Sequence, residues 1–159
     1  MSVTLVLDNI RSAYNVGAMF RTADAVGVSR VVLCGITAHP PNAKLEKTAL
    51  GATDVVPWSY FAATGWALDE LRAAGVAIVA LETAPEATPI YDYDWPNPVA
   101  LVVGNEVTGI STDVLARCDA VVCIPMVGAK NSLNVASAAA VALYDIHRRF
   151  NFRLGKFFD

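Results

Sequence analysis

Short runs of almost entirely apolar, β-branched residues recur along this chain, and helical patterns separate them. Four such runs are Val3–Leu7, Arg30–Cys34, Ala77–Leu81 and Ala100–Val103. Continuous apolar runs are typical of strands that are covered on both faces, whereas half-exposed strands alternate. Because parallel strands need long crossover connections, the alternation predicts one α/β domain over residues 1–159, with a mostly parallel sheet and helices on both faces. We expect no second domain.

The remaining elements follow from periodicity and from helix-ending residues. Helices are predicted at about Asn15–Val26, Asn42–Leu50, Tyr60–Ala74 and Leu133–Phe150, strands at Val55–Trp58 and Ala120–Ile124, and a loop at Thr83–Pro98. The last helix is apolar on nearly all sides, so it should be buried on nearly all sides. Packing against a second subunit would achieve this, and so would burial within one chain.

Composition limits the classes of function. The chain is 55% hydrophobic with a formal net charge of −3. A basic domain is the usual sign of a nucleic-acid-binding protein, so any such affinity must come from local clusters, for example Lys44 and Lys47. The odd count of three cysteines argues against a disulfide framework and a metal site and favours a reducing cytoplasm. No run is long enough for a membrane span.

Familiar catalytic motifs are missing. No G-x-G-x-x-G follows a strand, no P-loop is present, and no G-x-S-x-G turn occurs. This pattern disfavours a dinucleotide-dependent enzyme and a serine hydrolase.

Three polar segments lie instead at predicted strand ends or helix starts, where open α/β sheets bind ligands. They are Asn15–Arg21, Leu101–Gly109 and Ile124–Asn134. The first has a predicted N-cap, Asn15, and a glycine that permits close approach. Each segment also has a simpler interpretation. The first can be read as a capped helix with a solvated arginine, the second as a plain strand-to-helix turn, and the third as a helix start in which Ser132 is the N-cap.

Taken together, the three segments resemble the ordered motifs of the SpoU/TrmH family of SPOUT methyltransferases. The first motif of that family is an Asn followed six residues later by an Arg, here Asn15 and Arg21. The other motifs correspond to Gly104, Glu106 and Gly109, and then to Ile124–Met126 with Ser132–Val135. The resemblance covers essentially the whole chain, so we expect a single methyltransferase domain over residues 1–159 with no added RNA-binding domain.

This resemblance implies a SPOUT-type fold with a carboxy-terminal trefoil knot, a homodimer, and S-adenosylmethionine as the cofactor. It implies methylation of a ribose 2′-hydroxyl in RNA, with tRNA and rRNA both open as substrates. The implied cofactor contacts, largely through backbone, are Leu81, Thr83, Gly104, Ile124, Met126, Ser132 and Leu133.

The implied catalytic set is Arg21, Asn15, Glu106, Ser132 and Asn134. Arg21 would activate the hydroxyl, either as a base or as a cation that holds a phosphate or the developing alkoxide. The other four residues would position Arg21, the cofactor and the ribose. Two alternatives stay open. One is a non-catalytic RNA-binding homologue, which the acidic composition favours, and the other is a small-molecule nucleotide-binding enzyme.

Overall fold

The computed structural model describes residues 2–150 of the chain. Its strands are β1 (Val3–Asp8), β2 (Arg30–Cys34), β3 (Trp58–Phe61), β4 (Ala77–Leu81), β5 (Thr88–Pro89), β6 (Val99–Val103) and β7 (Ala120–Cys123). Its helices are α1 (Ala13–Val26), α2 (Ala43–Ala49), α3 (Ala52–Val55), α4 (Thr64–Ala73), α5 (Thr112–Ala116) and α6 (Val135–Arg149).

The seven strands form one sheet in the order β3-β2-β1-β6-β4-β7-β5. Every pair of neighbouring strands is parallel, so the predicted α/β class is confirmed. The carboxyl ends of all strands therefore meet at one edge of the sheet. The trefoil knot that the resemblance implies stays a prediction.

Helices cover both faces of this sheet, as predicted. Along β1, Leu5 and Leu7 pack into the core cluster that holds the apolar sides of α1, α2 and α6. Val6, between them, belongs to a second cluster with residues of α4 and α5. Successive strand residues point to opposite faces, which explains why the strands are apolar at nearly every position.

Several element boundaries in the amino-terminal half differ from the prediction. Helix α1 begins at Ala13, and its N-cap is Ser12, whose hydroxyl accepts from the backbone N–H of Asn15. Asn15 is therefore not the N-cap, and its side chain is available for other contacts. The predicted strand Val55–Trp58 was also placed too early. Val55 ends a helical turn, and pairing with β2 starts only after Pro57.

The carboxy-terminal half adds two elements that periodicity did not indicate. A two-residue strand, β5, lies within the predicted loop, and the five-residue helix α5 follows Gly109. Helix α6 was expected to be buried on nearly all sides, and within one chain this is wrong. Its Val141 and Tyr144 side chains are 37% and 49% exposed, because α1 and the sheet leave this side of the helix uncovered. Among residues 2–150, no helix has the length and apolarity needed to cross a membrane.

Candidate functional site

A pocket of about 340 Å³ opens at the carboxyl ends of β4, β6 and β7. Its volume lies within the range of small-molecule sites. Three loops enclose it: the segment after β4, the turn after β6, and the stretch from β7 into α6. Three adjacent parallel strands thus end at one cleft, which is where open α/β sheets bind ligands.

All seven residues that the resemblance assigns to cofactor binding line this pocket. They are Leu81, Thr83, Gly104, Ile124, Met126, Ser132 and Leu133. The pocket thus combines apolar side chains with strand-end backbone and a few hydroxyl and carboxylate groups. That combination suits a ligand with a flat apolar part and polar substituents.

Gly104 allows two backbone segments beside the pocket to lie close together. A Cβ at this position would lie 2.6 Å from the backbone nitrogen of Ile110 and 2.7 Å from the carbonyl carbon of Gly109. The chain turns back on itself here, since Asn105 and Gly109 form a bridge. Any side chain at position 104 would therefore displace backbone that surrounds the pocket.

Asn15 joins the other two polar segments beside the pocket. Its side-chain amide donates to Glu106 Oε1 at 3.1 Å, and its Oδ1 accepts from Asn134 Nδ2 at 3.2 Å. Asn134 is also the N-cap of α6, where its Oδ1 accepts from the backbone N–H of Ala136 and Ser137. One amide therefore connects the start of α1, the turn after β6 and the start of α6.

Glu106 is held as a carboxylate at this junction. It accepts from the backbone N–H of Arg11 at 2.8 Å and of Ser12 at 3.1 Å, in addition to the Asn15 amide. Partial burial acts to raise the pKa of Glu106, but the hydrogen bonds outweigh it, so its pKa lies below the ordinary glutamate value. Glu106 therefore remains ionised and acts as an acceptor at neutral pH.

Sequence reasoning missed Glu82, which lies between two predicted residues on the pocket wall. Its Oε2 accepts from the backbone N–H of Ile110 at 2.9 Å, and its Oε1 accepts from that of Thr83 at 2.9 Å. A Cβ on Gly109 would lie 2.5 Å from this carboxylate, so the second motif glycine leaves room for Glu82. The available signal was an acid directly after the apolar strand β4, similar to Glu106, which lies three residues after the end of β6.

Arg21 lies apart from the pocket. It lines a separate groove of about 450 Å³ between α1, α2 and α6. Six residues along a helix advance about 9 Å and rotate well past one full turn, so Asn15 and Arg21 leave α1 on different sides. Within one chain, the structure therefore brings together four of the five predicted catalytic residues and places Arg21 elsewhere.

The chain belongs to the SpoU rRNA Methylase family, whose pattern matches residues 2–144. It is 36% identical over 146 residues to the 23S rRNA (guanosine-2′-O-)-methyltransferase RlmB of Vibrio parahaemolyticus. That alignment covers 91% of this chain and 58% of the relative, so the chain spans less than two thirds of that relative's length.

Solved structures share the fold. The SpoU methyltransferase AviRb from Streptomyces viridochromogenes, in complex with AdoMet, superposes with a TM-score of 0.86 at 30% identity, covering 94% of this chain and 58% of that one. A structure described as giving insights into the 2-OH methylation of C/U34 on tRNA superposes with a TM-score of 0.84 at 28% identity. It covers 94% of this chain and 96% of that chain.

Residues 2–150 contain no cluster of three or more His, Cys, Asp or Glu side chains that could hold a metal ion.

Proposed function

We propose that this protein transfers a methyl group from S-adenosylmethionine to a ribose 2′-hydroxyl of RNA. One arrangement carries the proposal: the second and third motif segments line one pocket, and Asn15 of the first segment is hydrogen-bonded to both Glu106 and Asn134 on that lining. Family membership and the relatives' described activities support the same reaction. The RNA is tRNA or rRNA, since relatives of both descriptions share the fold.

The residues of the pocket fit S-adenosylmethionine. Leu81, Ile124 and Leu133 offer apolar surface for an adenine ring, and the absence of a Cβ at Gly104 lets the turn through Gly109 and Ile110 fold closely beside the pocket. The carboxylates of Glu82 and Glu106 suit a cofactor that carries a positive sulfonium. When bound, the cofactor supplies an electrophilic methyl group, which passes to the ribose oxygen as the carbon–sulfur bond breaks.

The chain's own residues orient the ribose and stabilise the oxygen as its proton passes to water. We assign Asn15, Glu106, Ser132 and Asn134 to positioning, because three of them share one hydrogen-bonded chain and Ser132 lines the same pocket. We assign Arg21 to the reacting oxygen or to the adjacent phosphate. An arginine holds its proton strongly, which favours its action as a cation over its action as a base.

We further propose that the protein is a homodimer that packs through the exposed face of α6. Val141 and Tyr144 lie on this face, and exposed apolar side chains on a helix suit a subunit interface. Tyr144 also lines the Arg21 groove, so a partner packed here would lie beside that groove. Such a partner could bring Arg21 of one protomer to the cofactor pocket of the other.

A cytoplasmic location fits this function. Cys34, Cys118 and Cys123 are all free thiols. Free thiols are the usual state in a reducing compartment.

The decisive experiment uses the wild-type protein with radiolabelled S-adenosylmethionine and, separately, bulk tRNA and bulk rRNA. We expect label in one RNA pool and, after nucleoside analysis, on a 2′-O-methylated nucleoside. Label on a base, or no label with RNA that lacks the modification, would overturn the reaction. A thermal-shift series with S-adenosylmethionine, NAD and ATP separates the alternatives, because only a ligand that binds the native state raises its stability.

A further inference from the structure

The groove that contains Arg21 has a strongly biased charge. Its lining residues are Ala18, Arg21, Thr22, Ala25, Lys47, Thr48, Leu50 and Tyr144. Two of the eight are cations and none is a carboxylate, although the chain as a whole carries a net charge of −3. A concave surface with one sign of charge concentrates ligands of the opposite sign.

Helices α1 and α2, which carry the two cations of the groove, are joined by a hydrogen bond. The hydroxyl of Thr48 donates to the backbone oxygen of Tyr14 at 2.7 Å, which ties α2 to α1. Gly17 allows this approach, because a Cβ there would overlap the Thr48 hydroxyl and the Leu45 carbonyl oxygen. Lys47 and Arg21 are therefore carried on two helices whose backbones are held together.

Lys47 is distinguished from its neighbour on the same helix. Lys44 lies three residues earlier on α2 and is also exposed, but it does not line the groove. Lys47 has one other role available, since a cation in the last turn of α2 also complements the helix dipole. That role would make Lys47 contribute to stability and leave ligand binding unaffected.

We propose that this groove binds a backbone phosphate of the RNA, with Lys47 as a second binding cation beside Arg21. The inference rests on the proposed function for the identity of the polyanion. Two cations on separate helices suit a phosphate that must be both attracted and oriented.

Within one chain, the groove and the pocket lie at different points along α6. Asn134, at the start of α6, lines the pocket, and Tyr144, about 15 Å further along the helix axis, lines the groove. In the proposed dimer, the groove of one protomer would border the pocket of the other, so the phosphate held here would be one close to the methylated ribose. Lys47 should therefore increase the affinity of the protein for RNA and leave its affinity for the cofactor unchanged.

The test compares Lys47→Ala with Lys44→Ala, which removes the same charge from the same helix outside the groove. Binding of labelled bulk tRNA and of fragmented rRNA is measured by fluorescence anisotropy over a series of KCl concentrations. We expect Lys47→Ala to weaken RNA binding about 5- to 10-fold and to reduce the slope of log K against log salt by about 1. Lys44→Ala should stay within about twofold of wild type, and Lys47→Arg should restore most of the affinity.

Three controls are read in parallel: S-adenosylmethionine affinity, melting temperature and oligomeric state, each expected to be unchanged in Lys47→Ala. Equal effects of the two alanine variants would overturn the inference, as would a lowered melting temperature with unaltered RNA binding. An RNA affinity and a salt slope that stay at the wild-type values in Lys47→Ala would overturn it too.

The two proposals fail separately. Lys47-dependent RNA binding without any methyl transfer would reject the proposed reaction and keep this inference. Methyl transfer and RNA binding that are both unchanged in Lys47→Ala would reject this inference and keep the proposed reaction.

Discussion

Asn15 donates its side-chain amide to the carboxylate of Glu106 across 91 residues of sequence, at 3.1 Å. The same carboxylate accepts from two backbone N–H groups just before α1. The start of α1 and the turn after β6 are therefore held together by one ionised group. Because charged acceptors make stronger hydrogen bonds, this contact should depend on pH.

We predict that Glu106 titrates below the ordinary glutamate range and that Asn15→Ala moves its pKa upward. The lowered pKa means that Glu106 stabilises the native state above its unfolded pKa, and this contribution is lost as the pH falls through the folded pKa. The amide chemical shifts of Arg11 and Ser12 report the titration by NMR. An unchanged midpoint in Asn15→Ala would mean that the amide does not stabilise the carboxylate.

The second prediction concerns the contact between α1 and α2. Replacing a helical glycine by alanine normally stabilises a helix by up to about 1 kcal/mol. Gly17→Ala should do the opposite and destabilise the protein by about 1–3 kcal/mol, because the new Cβ would overlap Thr48 and the Leu45 backbone. Chemical denaturation measures the change.

Gly65→Ala, in α4, is the matched control. A Cβ at position 65 would meet only the flexible end of Arg117, at 3.1 Å. This variant should be neutral or slightly stabilising. Equal destabilisation by both substitutions would show that the close approach of α1 and α2 is not responsible.

The sheet was predictable because its strands are buried on both faces, which makes their sequences apolar at consecutive positions. The start of α1 was not predictable to the residue, since Ser12 and Asn15 are both good caps and only the structure shows which side chain turns back onto the helix. The short elements β5 and α5 were missed because two and five residues contain too little periodicity to detect.

The polar segments were visible at strand ends, but their mutual contacts were not. Nothing in the local sequence indicates that Asn15 lies between Glu106 and Asn134, because the sheet order that brings them together is a long-range property. The separate groove around Arg21 had no local signal either. It depends on α6 packing beside α1.

A third prediction tests the close approach of Gly104 to the turn beside the pocket. Gly104→Ala should weaken S-adenosylmethionine binding at least about 10-fold, because its Cβ would collide with the backbone at Gly109 and Ile110 and shift the turn that carries Glu106. Gly128→Ala is the control, since a Cβ there meets nothing within 4 Å. Isothermal titration calorimetry gives both affinities. Similar Kd values for the two variants would contradict the assignment of this pocket to the cofactor.

The fourth prediction separates the two roles open to Arg21. Arg21→Ala should reduce methyl transfer by at least about 100-fold and leave cofactor affinity unchanged, since Arg21 does not line the pocket of its own chain and is assigned to the RNA. If Arg21 acts as a cation, Arg21→Lys keeps part of the activity, and its pH–rate profile stays like that of the wild type. If it acts as a base, the lysine variant shows a new limb that follows the lysine pKa. Near-normal transfer in Arg21→Ala would remove Arg21 from the mechanism altogether.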